Sequence, residues 1–403
     1  MISICIPVRD GGPEFGQNLL AWKQQETSEV VEILVLDSGS RDDTRKIAQD
    51  LGTKVYTLPS QEFNHGEARN RLAALARGDL LVFTVADAAP AGPRTLQQLT
   101  EPLRQDPELA GVTGKQLPRK DADLVAKWET EFCTYTSDGQ VVRKVLPPWS
   151  EFSQLDFVTK IRLVGFDDVC SAMRRTVWEK FPFSPVEFAE DLDWSLRVMK
   201  SGYPILANPK AQVLHSHNRS AWARFRHYFV GRYRMNMVLG VPSEVFPWSE
   251  DEAFAAVRSF RSRVGKVRDT LQESSPFLTR LRIPVRFKYL CFRTIDKWGP
   301  LALGGFHQPL LHPYAVEWLE SYFNYICWCV LRRYERLSRQ EALFVADQAE
   351  AQATGDFLGQ CYYRSKHTSC ISPEFAQLGW LLRRHFGVVF DGSPPPQAPE
   401  VSS

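Results

Sequence analysis

Along the first half of the chain, short apolar runs alternate with longer amphipathic stretches. ISICIPV precedes a helical pattern from Glu14 to Lys23, EILVLDSG one from Asp42 to Leu51, and TKVYTLP one from Gly66 to Arg77; DLLVFTVAD then precedes Thr95 to Arg104, and AGVTGKQL follows. Runs this continuously apolar belong to strands covered on both faces. Strand and helix in alternation predict an open, mostly parallel α/β sheet with helices on both faces. Ligands of such sheets gather beyond the carboxyl ends of the strands. The polar residues that close the runs therefore matter most: Pro7-Val8-Arg9, Asp37-Ser38-Gly39-Ser40 and Asp87.

From Thr136 to Leu163 the periodicity weakens, and an irregular connection is expected. A second block offers a strand near Val169–Met173, a helix after FAED, and two short strands, Ile205–Ala207 and Gln212–Leu214. From Ala221 onward the pattern is helical, basic and aromatic, ending in a Pro-rich tail after Gly392 whose composition predicts disorder. The expected division is a catalytic region over residues 1–220, a helical region over 221–390 and a tail over 391–403. Within the first, residues 1–118 form one half and 164–220 the other.

Composition narrows this picture. With 44% hydrophobic and 24% charged residues in 403, the chain can bury a full catalytic core and an accessory region. The net charge of +2 hides a basic stretch from Arg219 to Lys297, which favours an acidic partner such as a phosphorylated substrate or anionic lipid. Eight cysteines lack the paired CxxC spacing of a zinc site and read as reduced core residues of a cytosolic protein. The opening run ISICIPV has no signal-type character, so export is not expected, and no apolar run is long enough to span a membrane.

Four places could carry chemistry. Asp37 ends a buried strand, where it can accept hydrogen bonds from a base or ribose or simply cap the helix that follows. In FNHGEARN, His65 and Arg69 share a face at a helix N-terminus; this suits a diphosphate, and equally a solvated stripe. Asp87 ends the most apolar strand, where an ionised carboxylate needs a partner such as a divalent cation. His215 and His217, two apart at the end of a strand, share a face and suit a metal or a phosphate, although strand histidines are more often structural.

Taken in order, EILVLDSGSRDDT, FNHGEARN, GDLLVFTVADA, GKQLPR, FDDVCSAMRRTVW, FAEDLDWSLRVMKSGY and AQVLHSHNRS resemble the family 2 glycosyltransferases, and their rhamnosyltransferase-like branch in particular. The resemblance covers roughly Met1 to Gly240. It implies a GT-A fold, a nucleotide-diphosphate sugar donor (dTDP-rhamnose or a UDP-sugar) and transfer with inversion to a glycan or lipid-linked acceptor. By the same resemblance Pro7, Arg9, Asp37, His65, Arg69, Lys115 and Gln116 belong to the donor pocket. Asp87 and His215 would hold Mg²⁺ or Mn²⁺, and Asp191 would be the catalytic base. Asp168, Glu190, Trp194 and His217 would contact the acceptor or support the site. One departure stands: the family's DxD triplet reads Val85-Ala86-Asp87, without its first acid.

Helical geometry separates the three acids of FAEDLDW. At about 100° per residue, Leu192, Leu196 and Met199 form an apolar stripe, while Glu190, Asp193, Arg197 and Lys200 fall on a solvated one. Asp191 lies off both, with Ser195 and Val198. The basic and aromatic runs Ala221–Phe229, Arg286–Tyr289 and Phe292–Arg293 fit either packed helices or a surface facing anionic lipid at the inner face of the cell membrane. The segment Glu317–Arg333 reads as core, interfacial face or dimer face, so oligomerisation stays open. No nucleic-acid module is present in the pattern. Two rival functions remain at this stage, a catalytically silent sugar-nucleotide or glycan binder and, less favoured, a sugar nucleotidyltransferase.

Overall fold

The computed structural model describes residues 1–131, 139–186, 188–240, 250–273, 311–333 and 337–367. The expected runs become strands β1 (Ile2–Val8), β2 (Val31–Asp37), β3 (Lys54–Thr57), β4 (Leu80–Thr84) and β6 (Gly111–Leu117). Helices α1 (Phe15–Lys23), α2 (Thr44–Asp50), α3 (His65–Leu75) and α4 (Thr95–Gln105) lie between them. With β5 (Ala89–Pro90), β7 (Val142–Lys144), β8 (Cys170–Arg174) and β9 (Ile205–Leu214) they build a nine-stranded sheet. Its order is β3-β2-β1-β4-β8-β6-β9-β5, with β7 also on β9. The pairings run β1, β2, β3, β4, β6 and β9 in one direction and β5, β7 and β8 in the other, so the sheet is mixed but mostly parallel.

Alternation decides which side chains each face buries. Ile2, Ile4, Ile6 and Val8 of β1 join Val35 and Val82 in one core with Phe15, Leu19 and Trp22 of α1 and Leu96, Leu99 and Leu103 of α4. The intervening Cys5, Leu34 and Phe83 are buried too, so both faces are covered. Cys5 and Cys170 sit in this interior as free thiols, as the composition suggested.

Two departures from the expected elements have clear causes. The pair Ile205–Ala207 and Gln212–Leu214 is one strand, β9, because the ladder to β6 shifts register between Thr113↔Ala207 and Lys115↔Gln212. Pro209 falls in that irregularity, a kind of place where a paired strand tolerates a residue without an N–H. The stretch expected to be irregular holds β7, α6 (Trp149–Gln154) and α7 (Phe157–Val164), elements too short to show a period. Helices α5 (Leu124–Glu131), α8 (Arg175–Lys180) and α9 (Glu190–Lys200) complete the first unit, which runs from Met1 to Asn218.

A second unit begins at Arg219 and contains most of α10 (Ala221–Leu239), with α11 (Glu250–Glu273), α12 (Leu311–Arg333) and α13 (Arg339–His367). Several of its described arginines are paired inside it. Arg224 is fully buried and donates to Gln348, Arg232 lies 3.6 Å from Asp356, and Arg261 and Arg268 pair with Glu350. In α12, Trp318, Ile326 and Cys327 are buried, so that helix contributes to this unit's core. Among the described residues no helix is long and apolar enough to cross a membrane. The runs at 286–289 and 292–293 and the tail lie outside the described residues.

Candidate active site

The parallel strands bring the polar residues of their carboxyl ends to one edge. The loops after β1 and β2 are stitched together there. Asp10 donates its N–H to Ser40 Oγ (2.8 Å) and accepts from the Arg41 N–H (2.8 Å), and the Gly11 N–H reaches Thr44 Oγ1 (2.8 Å). Arg9 stands exposed at this edge, and Pro7 is half-buried beside Leu36 in the register. Asp37 is buried and accepts from the N–H groups of Gly39 and Ser40, with Arg45 at 3.7 Å. It does not cap α2, which starts at Thr44; it fixes the loop that precedes it.

Asp87 follows β4 on a turn fastened to α1, where Asn18 donates to the Ala86 carbonyl (3.0 Å) and Trp22 to that of Ala88 (3.1 Å). The next residue but one, Ala89, starts β5 and pairs with Leu214, the last residue of β9. That short ladder delivers Asp87 to the histidines that follow β9. His215 Nε2 lies 3.5 Å from Asp87 Oδ1 and His217 Nδ1 3.8 Å from Oδ2, and the two rings meet edge to face at 4.5 Å. One ligand atom from each residue falls within 4.8 Å of the others. Burial would raise the Asp87 carboxyl, but its hydrogen bond to His215 and the charges of His215 and His217 outweigh that and hold it at about 2. A carboxylate with two imidazoles is a donor set that fits a divalent cation. His217, expected to support the site, stands here beside Asp87 and His215.

Behind this cluster, β6 carries Lys115 and Gln116. At Gly114 a Cβ would collide with Cys170 Sγ and the Ala211 carbonyl, so only glycine lets the irregular β6–β9 register close. Gln116 then meets His215, with Oε1 2.7 Å from Nδ1, and its Nε2 donates to Asp167 Oδ2 at 2.5 Å. Asp167 was not singled out in the sequence; the tandem acid of FDDV was its only signal.

The loop of Asp167 and Asp168 leads into a second cluster. Asp168 is buried and accepts from Ser171 Oγ (2.9 Å), and its backbone N–H donates to Asp191 Oδ2 (3.4 Å). Arg69, buried in α3, reaches Glu190 Oε1 with Nη1 (2.7 Å) and Asp168 Oδ2 with Nε (3.2 Å). Its charge is thus committed to two acids, and the N-terminus of α3 is capped by Asn64, which accepts from the Glu67 N–H (3.1 Å). His65 stays exposed, packed edge-on against Phe63 at 4.9 Å.

In α9 the acids separate, with one correction. Asp193 pairs with Arg197 (2.8 Å) and Asp191 faces away from that stripe, as the helical geometry predicts. Glu190 is not solvated, however: α3 lies across the start of α9, and Glu190 is only 6% exposed against Arg69. Burial, then the negative charges of Glu190, Asp168 and Asp167, push the Asp191 carboxyl well above the usual range, offset in part by Arg69. Asp168 is raised to about 7, by burial first, with Arg69 opposing. Just before the helix, Ala189 takes a left-handed conformation (φ 61°), uncommon for a residue with a Cβ and a form of strain that collects at functional sites. Trp194 is fully buried, packed against Phe166 (4.9 Å) and Phe183 (6.2 Å), a supporting position in the interior.

Part of this edge, including Asp37, Arg69, Asp87, Gln116 and Asp168, lies within a segment of known kind, and Asp191, His215 and His217 follow that segment. Residues 3–181, somewhat less than half of the chain, match the model of the family described as glycosyl transferase family 2. The chain is also similar to two rhamnosyltransferases. It is 29% identical over 307 residues to the O-antigen chain rhamnosyltransferase RfbN of Salmonella typhimurium, covering 75% of this chain and 91% of that one. It is 28% identical over 285 residues to the O-antigen chain rhamnosyltransferase WbaN of Salmonella anatum, covering 70% and 84%. Among solved structures, glucosyl-3-phosphoglycerate synthase from Mycobacterium tuberculosis with Mn²⁺, UDP-glucose and phosphoglyceric acid aligns over 62% of this chain and 83% of that one, with 18% identity and a TM-score of 0.44.

Proposed function

We propose that the chain is an inverting glycosyltransferase that moves a sugar, rhamnose foremost, from a dTDP- or UDP-linked donor to a hydroxyl of a glycan or lipid-linked acceptor. The setting of this reading is bacterial surface polysaccharide synthesis at the inner face of the cell membrane. The two rhamnosyltransferase relatives support the sugar and the pathway class. The observation that carries the mechanism is Asp191, a half-buried carboxyl raised by burial and by three neighbouring acids.

A base that must take a proton from an acceptor hydroxyl works best with a pKa brought toward neutral. Burial and the neighbouring acids shift Asp191 upward, in that direction, and Asp168 fixes one of its oxygens through a backbone N–H. Inversion needs the acceptor oxygen, its base and the anomeric carbon on the side away from the leaving group. Asp87, His215 and His217 are the residues that would hold Mg²⁺ or Mn²⁺ on the leaving-group side. A bound divalent ion supplies positive charge against the charge that develops on the departing nucleoside diphosphate. Arg9, Pro7, Asp37 and Lys115 border the edge where the nucleotide would lie, and Arg69 acts from within by holding Glu190 and Asp168 in place.

The test is a panel of dTDP- and UDP-sugars with a lipid-linked acceptor, reading nucleoside diphosphate release with Mg²⁺ or Mn²⁺ and the anomeric configuration of the product by NMR. Release with one donor and an inverted product is expected. A product of retained configuration, or donor bound without any release, would overturn the reading.

A further inference from the structure

The Asp87, His215 and His217 cluster leaves open which nitrogen of His215 faces a cation, because a neutral imidazole carries its proton on either ring nitrogen. The hydrogen bonds behind the cluster decide it. Asp167 is 8% exposed; its Oδ1 takes the Val169 N–H (3.0 Å), and its backbone N–H is spent on Thr113 Oγ1 (3.1 Å). Oδ2 is left for Gln116, and a carboxylate oxygen accepts. Gln116 must therefore turn its NH₂ toward Asp167, at 2.5 Å, which turns its carbonyl oxygen toward His215, at 2.7 Å. A carbonyl accepts only from an N–H, so the His215 proton sits on Nδ1. Without a cation Nε2, 3.5 Å from Asp87, can carry a second proton and donate to that carboxylate; a cation takes the place of this proton, and the lone pair that faces it is then on Nε2.

We propose that Gln116, oriented by Asp167, is a positioning residue that locks His215 in the metal-binding tautomer and ring orientation, so that cation affinity is set by a pair of side chains that touch neither cation nor donor. The inference rests on the metal reading above and changes the role implied for Gln116. Each end of its amide is already engaged, the NH₂ by Asp167 and the carbonyl by His215. Partners that fix a ligating imidazole from behind are worth about 10–100-fold in metal affinity. The pair also ties the cation end to the base end, since Asp168, next in the chain to Asp167, holds Asp191.

Mn²⁺ titration of the full chain, read by the electron paramagnetic resonance of free Mn²⁺, tests this without any turnover. Gln116→Met removes the acceptor and should weaken Mn²⁺ binding by about 10–100-fold. Gln116→Glu sets two carboxylates against each other and should lose as much. The double variant Gln116→Glu/Asp167→Asn faces every acceptor with a donor again, the new amide donating to the new carboxylate, and most of the affinity should return. A structural role alone predicts the reverse, with the double variant worse than either single change. Wild-type Mn²⁺ affinity in Gln116→Met, or no recovery in the double variant, overturns the inference. If Gln116→Met does not fold by near-ultraviolet circular dichroism, the contrast between Gln116→Glu and the double variant still decides. Failure of the wild-type chain itself to take up Mn²⁺ overturns the metal reading beneath it, a separate result.

Discussion

The two clusters at the carboxyl edge use the same side-chain type for opposite ends. Asp87, 39% exposed and flanked by His215 and His217, is held at about 2 and stays ionised throughout the physiological range. Asp191, among Glu190, Asp168 and Asp167 with one arginine between them, is pushed upward. Environments that drive two carboxyls apart assign them separate tasks: one keeps its charge for a cation, the other trades a proton. They are joined through the Asp167-Asp168 loop, so neither is an accident of the other's surface.

The sharpest way to break this comparison is Asp191→Asn. If Asp191 is the base, transfer should fall by about 10²–10⁴-fold while Mn²⁺ affinity is unchanged, because the cation cluster does not depend on it. In the unsubstituted protein the rate should fall on acidification starting well above the ordinary carboxylate range, since Asp191 acts only when ionised and its pKa is raised. Transfer near the wild-type rate in a folded Asp191→Asn would remove the base assignment.

Next in size is Arg69→Met. Breaking a buried ion pair by removing one partner costs about 3–5 kcal/mol, and Arg69 (4% exposed) and Glu190 (6%) qualify. Urea unfolding should show that loss, and more of it at pH 8 than at pH 5. The sign follows from Asp168: its folded pKa of about 7 exceeds the unfolded 3.8, so folding favours the protonated form, and stability is lost as pH rises from about 4 to about 7. Without Arg69 to oppose burial, that loss deepens. A variant as stable as the parent at both pH values would mean the cluster does not depend on its arginine.

How far the sequence anticipates these clusters depends on the range of the contacts. Asp37 and Asp87 at strand ends, and Asp191 off the charged stripe of α9, follow from periodicities within a few residues. Glu190 was misread because its burial comes from Arg69, 121 positions away. The meeting of Asp87 with His215 rests on the two-residue strand β5, below the length at which alternation shows. Gln116 reaches His215 and Asp167 through an irregular register at Gly114, and a single glycine in a strand signals a bulge without saying what it re-aims. The basic run of α10 read as packed helix or lipid-facing surface; Arg224, buried against Gln348, follows the first.

The cation end is sharpened by comparing its histidines. The His215 side chain is 7% exposed and held from behind by Gln116, whereas that of His217 is 45% exposed. His215→Ala should therefore weaken Mn²⁺ binding by about 100-fold or more, at or beyond the range known for supporting residues, and His217→Ala by about tenfold. Equal losses would make His217 a full partner. No loss at His217 would reduce the site to Asp87 and His215.

The smallest expected effect probes the base end through its backbone. Ala189 precedes Glu190 with φ 61° and ψ 29°, and its carbonyl accepts the Asp193 N–H at 3.0 Å, so its conformation sets where α9 begins. A left-handed residue with a Cβ costs about 1–2 kcal/mol. Ala189→Gly removes that strain but gives the unfolded chain more freedom, worth about 0.4–1 kcal/mol. Thermal melting should therefore rise slightly or stay level, with a gain in stability of no more than about 1.6 kcal/mol. If the turn's rigidity aims Asp191, the looser glycine should still lower the transfer rate severalfold, with Mn²⁺ affinity untouched. A variant that melts higher and transfers at full rate would show that the strain is incidental. One whose Mn²⁺ binding falls with the rate would show that the two ends are not separable.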